Sequence, residues 1–360
     1  MSSLRPVNIL QSFIFADPEI EMLDTIKNRG STKVTELVKA AKTLLPATLA
    51  IAEYDRTRPL IEGRVKPAGI DLKTTIGSIP EFCLVPVYEQ YDFAEMSLSW
   101  YLMAHCRNEP VVALPTFPLR MPVHAYMYVR TDASYTHPGD LAGKRIGTKR
   151  YRSTINVWLR GILKEYHGLR PQDFTWITPA EEGGGFVIPE DVSVTVRPGE
   201  MSDMEEMLFK GEIDALFTPV LPDAVYQRDP RIRRLYPDCR AVSRAYSKQT
   251  GFFPMTHTVV MSKRLWEKEP WAAESMYTAL NEAQRQCLEF YRADPKHSLF
   301  CETLYTQEEE QALYGENPWA QGVAANRTAL ETFIRYAHEQ GYIPRRPSVE
   351  EVFASNTLAL

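Results

Sequence analysis

The hydrophobic pattern of the chain changes character near residue 47. Before it, Ala16–Lys42 carries apolar residues at helical spacing (Ile20, Leu23, Ile26, then Val34, Leu37, Val38, Ala41), broken at Arg29-Gly30-Ser31. This predicts one or two helices in an appended segment, residues 1–46, packed on the body or on a second subunit, which would make a homo-oligomer. After it, short apolar runs alternate with amphipathic stretches. They predict strands at 48–54, 70–76, 93–97, 110–115 and 124–130, with helices near 80–90 and 98–106. A second series follows: strand 144–148, helix 154–167, strands 174–178 and 192–197, helix 202–211 and strand 213–218. Ser202 with Glu205 three residues on reads as a capping box that starts the helix before Gly211. The strand-like run 256–261 and helical stretches at 270–292 and 322–340 come last. Strands alternating with helices mean βαβ units and largely parallel sheets, an α/β chain.

A chain of 360 residues exceeds one ordinary core, so two lobes are expected. Pro, Gly and polar residues cluster at 131–143 and 243–254, which predicts two hinge crossings. The first lobe is then 47–130 with 255–360, and the second is 131–254. Two crossings describe a cleft that closes on a small ligand. Gly183–Gly185 has no strand before it and no helix after it, so it reads as a mobile loop rather than a phosphate cradle.

Composition narrows the classes. Net charge is −5 and the pI near 5.9, which argues against a nucleic-acid binder. Five scattered cysteines (83, 106, 239, 287, 301) form no CxxC pair and read as reduced thiols of a cytoplasmic protein. No apolar run approaches the ~18 residues of a membrane span, and Val7–Ala16 is too interrupted for a signal peptide. HxH, HExxH, GxSxG and P-loop patterns are absent from the sequence.

The candidate chemistry sits at predicted strand ends. The run Thr48–Tyr54 empties into Asp55, Arg56 and Arg58. Fixed charges at the carboxyl end of a buried strand face the ligand crevice of an open sheet, and two arginines suit a carboxylate. Arg120 and His124 lie between two strand-like runs, one suited to a carboxylate and the other to proton transfer. In the basic stretch 148–154, Ser153 or Thr154 would cap the next helix, whose free N–H groups, with Lys149, Arg150 and Arg152, favour an anion. Arg160 is poorly placed for the dipole of that helix, which suggests a ligand or partner. His257 stands at the return crossing, Glu95 and Ser97 end a strand, and Thr218 ends another, where Glu95 could orient a histidine. The set suits acid–base work on a bound anion.

YDRTRPLIEGRVKPAGIDL, AEMSLSWYL, FPLRMPVH, DLAGKRIGT followed by STINVWLRGIL, GEIDALF, FPMTHTVV and RYAHEQGY resemble, in order and over roughly 47–356, the 4,5-dihydroxyphthalate decarboxylase family. The resemblance implies a type II periplasmic-binding-protein-like fold. It also implies non-oxidative loss of one carboxylate from a hydroxylated phthalate, giving protocatechuate, with no organic cofactor and no metal among the assigned roles. On that basis His124 and His257 become acid–base candidates, with Glu95 or Asp55 orienting one of them. Arg56, Arg58, Arg120 and Arg152 become carboxylate binders, joined by Ser97, Thr154 and Thr218. Two alternatives stay open: a cytoplasmic binding or sensor protein for an aromatic acid, and a metal-assisted decarboxylase with His124, His257 and a carboxylate as ligands.

Overall fold

Strand pairing divides the chain between two sheets. The computed structural model describes residues 44–77 and 86–360, and Leu45–Leu360 form one compact unit. Residues 1–43 of the expected extension 1–46 and most of the helix near 80–90 lie outside the described residues; Leu45 and Pro46, expected in the extension, already belong to the first strand. In the first sheet β1 (Leu45–Ile51) lies between β2 (Ile70–Ile76) and β3 (Phe93–Ser97), all parallel. Beyond β3 comes β11 (His257–Ser262), antiparallel, and then β4 (Val111–Leu114). The second sheet runs β10 (Ile232–Arg234), β5 (Met127–Arg130), β9 (Ala215–Phe217), β6 (Arg145–Gly147), β7 (Thr175–Thr178), β8 (Ser193–Val196). Its β9, β6, β7 and β8 are parallel, and β5 is antiparallel to both neighbours. The helices used below are α1 (Arg58–Ile61), α2 (Leu98–Cys106), α3 (Thr154–His167), α4 (Met201–Phe209), α5 (Cys239–Thr250), α6 (Trp271–Ala293), α7 (Thr303–Tyr314) and α8 (Gly322–Glu339).

Three expectations need correction. Strand β5 belongs to the second sheet, because its two edges are taken by β9 and β10. The chain therefore crosses between sheets at 115–126, ahead of the expected 131–143. The return runs through 235–256, where most of the expected 243–254 linker is the helix α5, closed by Gly251 at φ +77°. In α4 the capping box is Glu200 with Asp203, not Ser202 with Glu205. Glu205 instead accepts the backbone N–H groups of Asp223 and Ala224, both at 2.9 Å.

The two crossing segments pair with each other. Arg120 bridges Met255 in antiparallel fashion, Met121 N donates to Pro254 O over 3.0 Å, and Thr256 N donates to Leu119 O over 2.9 Å. Beneath the first sheet, Leu49, Ile51, Phe93, Val259 and Met261 pack on Ala272, Met276 and Leu280 of α6. Elsewhere the fully buried Trp158 of α3 sits among Phe252, Phe333 and Tyr336, and its indole N–H donates to Met255 O over 2.8 Å.

Gly161 of α3 makes that packing possible. A Cβ there would lie 2.1–2.4 Å from the Tyr336 ring of α8, including the ring carbon nearest the backbone, so the ring cannot yield by moving only its tip. Gly161→Ala should therefore lower unfolding free energy by about 1–3 kcal/mol despite the better helix propensity of Ala. Urea denaturation checks this, and an unchanged or raised midpoint would contradict the tight approach.

Candidate active site

At one edge of the first sheet the carboxyl ends of β1 and β3 meet the amino end of the antiparallel β11. His257 faces Ser97 directly, and Val259 faces Glu95, so the polar residues gather at the strand ends above an apolar layer. Glu95 is fully buried. Its Oε2 accepts Ala52 N–H at 3.1 Å, and its Oε1 accepts the Tyr54 hydroxyl at 3.0 Å and His257 Nδ1 at 2.6 Å. A carboxylate can only accept, so Nδ1 carries the proton and Nε2 is left as the working edge of the ring. The Ser97 hydroxyl lies 2.6 Å from Thr154 Oγ1, which also receives Ser99 N–H at 3.0 Å. Thus Thr154 ties α3 to the end of β3. Ser153 holds the N-cap position of α3 but makes no capping hydrogen bond with its side chain.

The turn after β1 brings in the first arginine. Thr57 Oγ1 accepts Tyr54 N–H at 2.9 Å, and Pro59 opens α1, so the chain folds back at once. Arg56 is held between the rings of Tyr54 and Trp319, at 4.1 and 4.2 Å, and its Nε donates to Pro118 O over 2.6 Å. Burial lowers its pKa from the ordinary value, against the opposing pull of Asp55, Tyr54 and Glu95.

Arg120 comes from the first crossing segment and lies 5.8 Å from the same Trp319 ring. Its Nη2 donates to Ala320 O and to Asn326 Oδ1, at 2.7 and 2.9 Å, and its Nε makes no hydrogen bond among the described residues. Among the described residues no carboxylate pairs with it, although it is only 8% exposed. Burial pushes its pKa down to about 10, with the Arg56 charge adding to the fall and Tyr314 opposing it. It stays cationic at neutral pH, and a buried cation among neutral acceptors is a ready anion anchor.

Other expected site residues are employed elsewhere. Asp55, half exposed, accepts Arg56 N–H at 2.7 Å and pairs with its guanidinium at 3.2 Å; it orients no histidine. Arg58 is exposed and pairs with Glu53 at 3.3 Å, because α1 turns it outward. Arg152 is already matched: its Nε lies 3.3 Å from Glu182, it donates to Gly183 O, and it stacks on Trp100 at 3.6 Å. Burial raises the pKa of Glu182. The expected mobile loop at Gly183–Gly185 is thereby gripped, since Arg107 also donates to Gly184 O and Gly185 O, at 2.5 and 2.6 Å. Thr218 uses its hydroxyl within its own turn, accepting Val220 N–H at 3.2 Å. Arg160 stacks on Tyr151 at 3.8 Å and donates to Gln340, Tyr151 O and Tyr342, a structural role rather than one toward a ligand.

His124 is the largest correction. It is buried against Tyr246 and Tyr236, with ring centroids at 5.2 and 6.1 Å, and its Nδ1 lies 3.4 Å from Ser243 Oγ. It shares none of these partners with His257 or Glu95. The three-ligand set of His124, His257 and a carboxylate is therefore not assembled, and no group of three or more potential metal-binding His, Cys, Asp or Glu residues occurs among the described residues. Tyr54, Trp319 and Asn326 went unread in the sequence. Tyr54 looked like the last residue of an apolar run, and the Asn317-Pro318 turn beside Trp319 was the one local signal in its region.

The arrangement is an α/β fold with a buried, hydrogen-bonded Glu95–His257 pair and a buried guanidinium, Arg120, that no carboxylate pairs with among the described residues. Solved structures agree on the fold. The chain is similar to the sulfonate-binding protein SsuA of Methylobacillus flagellatus (TM-score 0.56, 14% identity, 89% of this chain and 95% of that one). It is also similar to the aliphatic sulphonate binding protein SsuA of Escherichia coli (TM-score 0.52, 12% identity, 86% and 92%). The fold is that of the periplasmic binding proteins. No family model matches the chain. Two curated relatives do: the 4,5-dihydroxyphthalate decarboxylase of Comamonas testosteroni, 30% identical over 319 residues (86% of this chain, 96% of the relative), and that of Pseudomonas putida, 36% identical over 202 residues (54% and 78%). The chain belongs to the 4,5-dihydroxyphthalate decarboxylase family. No helix among the described residues is long and apolar enough to cross a membrane.

Burial lowers the pKa of His124 to about 4, with the nearby His167 adding to the effect. Its folded value is thus below its unfolded one, so its stability contribution is complete above about pH 6.5 and is lost as pH falls toward 4. Between pH 7 and pH 4.5 the wild type should lose about 2–3 kcal/mol more unfolding free energy than His124→Gln. Urea titrations of both proteins at the two pH values check this; equal losses would contradict a neutral, buried His124.

Proposed function

We propose that this protein converts 4,5-dihydroxyphthalate to protocatechuate and CO₂ without an organic cofactor, with His257 as the acid–base group. The observation that carries this reading is the Glu95-held His257 beside Arg120, a buried guanidinium with no carboxylate partner among the described residues. Direct loss of CO₂ from an aromatic acid would leave an aryl anion, which is prohibitively unstable. A hydroxyl para to the departing carboxylate opens another route. As its proton passes to water, electron density flows to the ring carbon that bears the carboxylate. His257, entering the step as the imidazolium, delivers its Nε2 proton to that carbon; the C–CO₂ bond breaks, its electron pair restores aromaticity, and water returns one proton to the phenolate oxygen and one to the imidazole.

Each group has a part in that sequence. Arg120 grips the carboxylate that stays, and Arg56 adds positive charge beside it. Glu95 keeps the imidazole in one tautomer and steadies its cationic form. The Ser97 and Thr154 hydroxyls, beside His257 at the same strand end, receive the ring hydroxyls. The two sheets, joined by their paired crossings, form the walls of a cleft around the ring. A cytoplasmic location suits a catabolic enzyme of this kind.

The purified protein, treated with chelator, should release CO₂ from 4,5-dihydroxyphthalate and form protocatechuate. Tight binding without turnover would favour a sensor, and turnover lost with chelator but restored by added metal would favour a metal-assisted route. His257→Gln should lower kcat by about 10²–10⁴-fold with the fold intact. Arg120→Lys should chiefly raise KM, by roughly tenfold, because the bidentate fork is lost. Near-normal kinetics in both variants would sink the assignment.

A further inference from the structure

The acid–base pair and the Arg56 guanidinium meet at one side chain that the chemistry above leaves unused. Tyr54 donates its hydroxyl to Glu95 Oε1 over 3.0 Å, the same oxygen that His257 Nδ1 reaches over 2.6 Å. The same ring carries the Arg56 guanidinium on its face at 4.1 Å. We propose that Tyr54 is a positioning residue: its hydroxyl sets how strongly Glu95 holds the His257 imidazole, and its ring sets where Arg56 presents its charge to a substrate carboxylate. The inference rests on the acid–base role of His257 proposed above.

The surroundings make the two contacts separable. The Tyr54 backbone is fixed on both sides: its N–H donates to Thr57 Oγ1 over 2.9 Å, and its carbonyl accepts Thr57 N–H and Arg58 N–H at 3.1 and 2.9 Å. The ring itself is held at its tip by Glu95 and on its face by Arg56. A donor on Glu95 Oε1 draws off negative charge that would otherwise favour a protonated imidazole. Burial, and then the Glu95 charge, raise the Tyr54 pKa above its ordinary value, so the phenol remains an O–H donor. The charged groups acting on Tyr54 and Glu95 are each other and Arg56, with Asp55 behind Arg56. From β11 comes His257 itself. The strand end of β3 and the start of α3 contribute the neutral hydroxyls of Ser97 and Thr154.

The test is the pH dependence of kcat together with KM, on full-length protein with 4,5-dihydroxyphthalate, after urea midpoints have established that each variant folds. Tyr54→Phe keeps the ring and removes the donor; the limb assigned to His257 should move up by about 0.5–1 pH unit, with KM changed less than roughly twofold. Tyr54→Leu removes both contacts and should add a KM increase of about fivefold as Arg56 loses one of its two rings. Replacing Tyr54 with 3-fluorotyrosine strengthens the donor and should move the limb down; it decides the question if Tyr54→Phe does not fold. A limb that stays in place in both the Phe and fluorotyrosine proteins, or a KM that rises equally in Phe and Leu, overturns the inference. If His257→Gln keeps normal turnover, the acid–base reading itself has failed. If it abolishes turnover while the limb of Tyr54→Phe is unmoved, only the role of Tyr54 has failed.

Discussion

A carboxylate with no exposure to water, at the end of a central strand, must find its hydrogen bonds inside the protein or unfold the strand that carries it. Glu95 meets that demand with a backbone N–H from the end of β1, a phenol from the following turn and an imidazole from the neighbouring antiparallel strand. The donors come from two segments far apart in the chain, Ala52 with Tyr54 and His257, and both meet on β3, so satisfying one buried charge fixes the relative placement of β1, β3 and β11. Where they stop pairing as strands, they gather polar side chains instead. The requirement that keeps the sheet edge intact is the same one that fixes the tautomer and direction of His257.

The arginines show how context sorts identical side chains. Arg152 is buried beside Glu182, so its charge is matched within the protein. Arg160 is buried among tyrosines and an amide, which cement α3 to the chain after α8. Arg120 is equally buried but has only a carbonyl and an asparagine oxygen for company. Neutral acceptors satisfy the donors of a guanidinium without cancelling its charge, and that charge remains uncompensated inside the protein. In a chain of net charge −5, this local excess of positive charge is a property of placement, not of composition.

Much of the first sheet was legible because its strands are short apolar runs with clear turn signals. Strands 70–76 and 93–97 and helices 98–106 and 154–167 fall where the pattern places them. The residues at strand ends, Glu95, Ser97 and His257, were legible for the same reason. What failed was decided at long range. Strand β5 reads like any edge run, and only pairing with residues 215–217 and 232–234 assigns its sheet. His124 lies in a short segment whose character is set by two tyrosines over 110 residues away. Trp319 and Asn326 sit in a region with no strand-end signal and reach the site only through tertiary packing. Asp55 and Arg58 share a segment with Arg56, but a tight turn sends their side chains to solvent; spacing alone does not register that turn.

The pairing of the two crossing segments has a mechanical consequence. Arg120 and Met255 form the bridge between them, and His257 follows two residues later. In any rotation of one sheet against the other about this ladder, displacement grows with distance from the axis. Arg120, within the ladder, and His257, two residues beyond it, both sit close to that line, while distant parts of the second sheet lie on the long arm. Their separation would remain nearly constant through such a swing, like two rivets set close to the pin of a hinge.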